Sequence, residues 1–283
     1  MKEVQDFYNK TPFPDYELSR FTDKISLKNA AYDFANILDR SIKGNSSIID
    51  VGTGTGQLSA FLSLDREEVY GIDFSDSSLN KARALKEKLE LNSLTLIKVD
   101  ITKTDEIKAI GKQFDYLLCL GVLHHTENAY QSFKNILSLL KPGGLIAIGL
   151  YNRYGRIPLK IRQVLARTIF KNNNKIKDKF IKMQIGETDD KERARGWWND
   201  QYNHPHETTH TVGEVLNWFK ENNIEYYESI PSVAFGNSPI SFCGVWHKST
   251  YPYLPLRIYH QLKWISSIHQ EGGYWITFGR KNE

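Results

Sequence analysis

The chain predicts an α/β fold built on a doubly wound, mostly parallel sheet. Three observations predict it. Short apolar runs alternate with amphipathic helical stretches from residue 46 onward. A glycine-rich turn, Gly52-Thr53-Gly54-Thr55-Gly56, joins the first apolar run to the first of those helices. The runs are almost continuously apolar, as strands covered on both faces must be.

Taken in order, residues 1–24 precede the core. Phe7, Tyr8, Phe13 and Tyr16, stiffened by Pro12 and Pro14, are too apolar for a free tail. They pack either over the mouth of a site or on the sheet edge. Residues 25–41 read as one amphipathic helix through Ala31, Phe34, Ala35 and Leu38. Ile48, Ile49 and Val51 form the first strand, and Gln57 opens a helix with Leu58, Phe61, Leu62 and Leu64. Residues 68–73 form a second strand, followed by a helix capped by Ser75 or Asp76 and reaching Leu89. Residues 94–100 and 114–121 are the third and fourth strands. A helix over 128–140 is broken by Lys141-Pro142-Gly143-Gly144, and residues 145–150 are a fifth, wholly apolar strand. Right-handed crossovers place any ligand at the C-terminal edge of such a sheet, where the strand order reverses.

The glycine spacing is G-x-G-x-G. It departs from the dinucleotide pattern G-x-G-x-x-G, because Gln57 stands at the third glycine position, and no Lys follows Gly56 as a P-loop requires. Bulk properties narrow the function further. With 283 residues the chain holds one elaborated domain or at most two. A net charge of +4 makes no case for a general polycation. Cys119 and Cys243 have no metal or redox spacing, the first residues lack an apolar signal core, and no run approaches about 18 apolar residues. These features lead us to expect a cytoplasmic protein.

The Asp50-to-Gly56 turn resembles motif I of class I S-adenosylmethionine (SAM)-dependent methyltransferases. Further motifs follow in the family's order: Asp73 ending the second strand, Asp100 ending the third, Phe114-Asp115-Tyr116 through Gly121-Val122-Leu123-His124-His125, and Leu139-Leu140-Lys141-Pro142-Gly143-Gly144-Leu145. The resemblance spans residues 46–150. It implies SAM as cofactor and S-adenosylhomocysteine as product. It further implies a cradle of Asp50, Gly52, Thr53, Gly54, Gly56 and Gln57, ribose contact by Asp73 with Phe74, and adenine contact by Asp100 and Ile101. Leu120, Gly121 and His125 would border the cofactor's methionine end. A carboxylate at Asp73 suits that role because it accepts two hydrogen bonds from a cis-diol. The family plan also implies a helix at 212–221, a sixth strand at 224–230 and an antiparallel seventh at 273–279, making a seven-stranded sheet.

This plan divides the chain into an N-terminal lid segment (1–45), the SAM-binding core (46–150), a basic helical insertion (151–210), and the end of the sheet (211–283) with a second insertion at 231–272. Residues 151–195 hold 13 Lys or Arg against 5 Asp or Glu. Ile157, Ile161, Val164, Leu165 and Ile169 share a helical face. The favoured expectation is that this face docks on the core as a lid. The alternatives are contact with a membrane surface or attraction of an anionic substrate. Tyr151 and Arg153 directly follow the fifth strand and, with Tyr8, Trp197 and His206, are candidate substrate contacts.

His206-Glu207-Thr208-Thr209-His210 matches the zinc-peptidase pattern H-E-x-x-H. Thr211-Val212-Gly213-Glu214 is a capping box, however, so the helix starts after His210 and the two histidines do not share a helical face. No metal is therefore expected. His125, His206, His210 and Tyr8 are candidate general bases. The expected function is methyl transfer from SAM to the oxygen or nitrogen of a small molecule under a lid, without nucleic acid. The alternatives are an RNA, protein or membrane-lipid methyltransferase, and a SAM-binding protein without turnover.

Overall fold

A computed structural model describes residues 1–168, 174–185, 191–234, 245–267 and 272–283. Cys243, Ile169 and, in the second insertion, residues 235–244 and 268–271 lie outside the described residues.

Seven strands form one sheet: β1 (Ile48–Val51), β2 (Val69–Asp73), β3 (Leu94–Lys98), β4 (Phe114–Leu120), β5 (Leu140–Tyr151), β6 (Ile224–Ile230) and β7 (Tyr274–Lys281). Their spatial order is β3-β2-β1-β4-β5-β7-β6, and β7 runs antiparallel to both of its neighbours. The order reverses at β1, so the ends of β1 and β4 open a crevice there. Ile49, Val51, Leu117 and Cys119 enter one buried core and Ile48, Tyr116 and Leu118 the other, because successive strand residues point to opposite faces. Helices α4 (Gln57–Leu62), α5 (Asp76–Lys88), α6 (Thr104–Lys108), α7 (Ala129–Ile136) and α11 (Val212–Glu221) belong to the alternating plan. Fully buried Phe133 and Phe219 stack between α7 and α11, each burial stabilising the fold by about 1.5–3 kcal/mol. Before the sheet lie α1 (Lys2–Lys10), α2 (Lys24–Asn29) and α3 (Asp33–Ser41). The insertions contribute α8 (Ile157–Thr168), α9 (Asn174–Ile185), α10 (Lys191–Tyr202) and α12 (Leu254–Ser267).

Three expectations require correction. Residues 25–41 are two helices. Leu27, Ala35 and Leu38 are all buried, so the apolar pattern runs across the break. Tyr32 is in extended backbone (φ −76°, ψ 161°) and lines the central cavity. The helix expected over 128–140 ends at Ile136, passes through a 3-10 turn, and is succeeded by β5 from Leu140. Lys141–Gly144 are a bulge within β5, since Phe114 pairs with Leu140 and Tyr116 with Leu145. Lys141 Nζ holds that bulge by bonding Asp115 Oδ1 at 2.8 Å.

The third correction concerns α8. Its docked side chain is Leu159, which is fully buried, whereas Ile157, Ile161 and Val164 are 38%, 56% and 60% exposed. The face expected to pack on the core looks outward.

Candidate active site

The glycine turn sits at the end of β1, and the N-terminal segment is fastened to it. Tyr16 Oη donates to the Thr55 carbonyl at 2.7 Å, and Thr55 Oγ1 donates to the Pro14 carbonyl at 2.6 Å. A Cβ on Gly54 would stand 2.3 Å from the Phe13 carbonyl oxygen, so only glycine allows this approach. Gln5 Nε2 donates to the Phe74 carbonyl at 2.8 Å and Ser75 Oγ contacts Asn9 Oδ1 at 2.9 Å, which lays α1 over the end of β2.

Between the sheet edge, α1 and α10 is a cavity of about 610 Å³. Asp50, Gly52, Thr53, Gly54, Gln57, Asp73, Phe74, Asp100, Ile101, Leu120, Gly121 and His125 line it, as do Tyr8, Tyr151 and Trp197. Gly56 does not. Its Cβ position points at Ala82 of α5, so it serves the close packing of α4 on α5.

Asp73 Oδ2 accepts from Gly54 N at 2.9 Å and Oδ1 from Ser75 N at 2.8 Å. Burial pushes its carboxyl up, and the Ser75, Gly54 and Phe74 N–H groups oppose that. Of about four lone-pair sites on a carboxylate these two bonds use two, which leaves capacity for a diol. Asp100 Oδ1 accepts from Thr102 N and Oγ1 at 3.0 and 2.7 Å. Asp50 is held by Thr53 Oγ1 at 2.9 Å, and burial raises its pKa to about 6. With Asp200 these make four aspartates, while among the described residues no Lys or Arg lines the cavity. A wall of acids and aromatic rings fits a ligand that carries a sulfonium and an ammonium group. The residues present therefore fit SAM, whose contribution when bound is a methyl carbon activated by positive sulfur.

His125 Nδ1 lies 3.0 Å from the His206 carbonyl. A carbonyl only accepts, so Nδ1 carries the proton and the neutral ring keeps its lone pair on Nε2. Burial lowers the His125 pKa to about 3. His204 stacks on it at 3.7 Å between centroids and is likewise lowered to about 3 by burial. His124 is wholly buried against His125 and Tyr151, each ring 4.2 Å away, and its pKa is driven well below the usual value.

The structure separates the other predicted residues from the cavity. Residues 203–209 form a loop without helix. It continues alongside the end of β5, with His210 N bonding the Tyr151 carbonyl and Arg153 N bonding the His210 carbonyl. His206 Nε2 is engaged by the Thr126 carbonyl at 3.0 Å and His210 Nε2 by Thr208 Oγ1 at 2.9 Å, and neither ring lines the cavity. Arg153 points outward to Glu214, with Nη2 3.2 Å from both carboxylate oxygens. Tyr8 does line the cavity, but burial and then Asp200 hold its phenol far above the usual range. It is a donor at neutral pH and unsuited to be the base.

Sequence reasoning missed Asp200, Gln201, Arg156 and Tyr274. Asp200 Oδ1 accepts from Tyr8 Oη at 3.1 Å, and its Oδ2 takes Gln201 Nε2 at 2.8 Å and Tyr151 Oη at 3.4 Å. Arg156 lies fully buried with its guanidinium 3.5 Å from the centre of the Tyr151 ring. It makes a fork on Glu207 and donates to Gln201 Oε1 and the Gly272 carbonyl at 2.6 and 2.7 Å. Tyr274 had a signal in the sequence: Gly149 is a gap in an otherwise bulky apolar strand, and the Tyr274 ring crosses that gap to reach the cavity.

The fold, the acidic end of β2 and the glycine turn fit a nucleoside-sulfonium ligand on a class I methyltransferase sheet. The sequence profile of the methyltransferase domain family matches residues 42–223. The chain belongs to that family, whose domain covers more than half of it. The ubiquinone biosynthesis O-methyltransferase of Coxiella burnetii (strain Dugway 5J108-111) is 30% identical over 113 residues, 40% of this chain and 46% of that protein. The chain thus matches less than half the length of this curated relative. Two solved structures share the fold at low identity. The magnesium protoporphyrin IX methyltransferase of Synechocystis PCC 6803 with bound SAM has a TM-score of 0.52 at 14% identity, covering 99% of this chain and 96% of that one. The N-methyltransferase NodS of Bradyrhizobium japonicum with S-adenosylhomocysteine has a TM-score of 0.51 at 12% identity, covering 99% and 100%.

Proposed function

We propose that the chain methylates an oxygen or nitrogen of a small cytoplasmic molecule held between the sheet edge, α1 and α10. The observation that carries this reading is the Tyr8–Asp200 contact, which roofs the cavity and sets a buried carboxylate among Trp197, Tyr151 and Tyr274. A mostly apolar pocket with a few fixed polar groups suits a small organic acceptor better than a nucleic-acid strand. Asp73 and Asp100 hold the adenosine, and Asp50 faces the cationic end. Asp200, an acceptor of hydrogen bonds only, orients the hydroxyl or amine that receives the methyl group. The free lone pair of His125 Nε2 is a second acceptor in the same space. Displacement at an activated carbon needs alignment and exclusion of water, which the aromatic roof supplies.

The test is incubation with methyl-labelled SAM and fractionated metabolite extract, RNA and protein in parallel, followed by mass spectrometry. Label in a small molecule supports the reading, and label confined to RNA or protein refutes it.

A further inference from the structure

Eleven large apolar side chains are exposed among the described residues, and nine of them belong to α8 or to residues 251–262. On α8 these are Ile157, Ile161 and Val164, spaced to share one face opposite buried Leu159. On α12 they are Leu254, Ile258 and Leu262, one helical turn apart, beside Tyr259, while buried Trp264 faces away from Leu262. Tyr251 and Tyr253 stand exposed just before α12. The two helices pack on each other. Together they hold Lys160, Arg162, Arg167, Arg257 and Lys263 and not one Asp or Glu.

We infer that α8 and α12 form a docking surface for an anionic lipid bilayer. Exposed apolar clusters of this extent are unusual on a protein that works free in solution. Apolar stripes on helices whose charged residues are all basic, flanked by tyrosines, are what an interfacial helix presents to acyl chains and acidic headgroups. A second copy is the poorer occupant. A two-fold interface would set the same basic, acid-free faces against each other. The inference does not depend on which acceptor is methylated.

The experiment is flotation of the full chain with vesicles of equimolar phosphatidylcholine and phosphatidylglycerol, against vesicles of phosphatidylcholine alone. The expected result is flotation with the anionic vesicles that weakens with added salt. It should fall by roughly ten-fold or more in Ile161→Asp/Val164→Asp and in Ile258→Asp/Leu262→Asp. Binding of S-adenosylhomocysteine, measured on both variants, should stay unchanged and shows that they are folded. Absence of flotation by the unaltered chain at low salt overturns the inference. So does equal flotation of both folded variants. A dimer in sedimentation that these substitutions dissolve, without vesicle binding, also overturns it and gives the face to a second copy.

Discussion

Tyr8 of α1 donates its phenolic hydrogen to Asp200 of α10 at 3.1 Å, across a cavity whose floor is the end of the sheet. The two residues are 192 positions apart, and their bond ties the N-terminal segment to the first insertion. Tyr8→Phe removes the donor and leaves Asp200 less satisfied in a buried site. A hydrogen bond to a charged group contributes about 1.5–3 kcal/mol. We expect acceptor turnover to fall about ten- to hundred-fold, with affinity for S-adenosylhomocysteine nearly unchanged. Steady-state kinetics and calorimetry on the same variant check this, and a parallel loss of cofactor affinity would show that the bond serves the cradle instead.

Arg156 is the structural centre of the lid. Its guanidinium bonds Glu207, Gln201 and the Gly272 carbonyl, and lies on Tyr151. Removing one partner of a buried ion pair costs about 3–5 kcal/mol, so Arg156→Met should lower the urea midpoint markedly. Arg156→Lys should rescue little, because an ammonium lacks the fork. A loss below about 1 kcal/mol in Arg156→Met would contradict the assignment.

The stacked histidines predict a pH response. His125 and His204 are lowered to about 3 by burial, and His124 moves the same way. The unfolded chain protonates these rings near pH 6.5 and the folded chain does not. Their contribution is therefore complete above about pH 6.5 and declines as pH falls toward 3, by about 1.4 kcal/mol per pH unit for each ring. Asp50, raised to about 6, opposes this below about pH 6, and burial raises Asp73 and Glu228 in the same sense. Burial lowers His210 and His260 as well, so the lowered rings outnumber the raised carboxyls and a net decline remains. Melting temperatures should drop steadily from about pH 6.5 to about pH 4.5. A flat profile, or a rise, would mean that the rings are charged or solvated in the native state.

Much of the sheet was legible in the sequence because its information is local. Apolar strands with Asp50, Asp73 and Asp100 at or near their C-terminal ends, and the glycine turn after the first, mark where a nucleoside fits. The misses arose where local pattern is ambiguous. Arg153 and Arg156 lie within one turn of each other, and nothing in their neighbours tells which enters the interior. Asp200 sits in a helix with little amphipathic contrast, so its burial follows only from Tyr8 and Gln201. The apolar face of α8 was legible, but whether it meets the core or the outside depends on Leu159 finding the core first. His206 and His210 flank a cap as expected, yet their rings are taken by Thr126 and Thr208 rather than turned to the cavity.

Asp73, held by Gly54 N and Ser75 N, is expected to anchor the ribose of SAM. Isothermal titration calorimetry with S-adenosylhomocysteine tests it directly. The unaltered chain should bind in about the micromolar range. Asp73→Ala should weaken binding by about ten- to hundred-fold while keeping a cooperative melting transition, as loss of hydrogen bonds to a charged acceptor requires. Undiminished binding by folded Asp73→Ala would contradict the account.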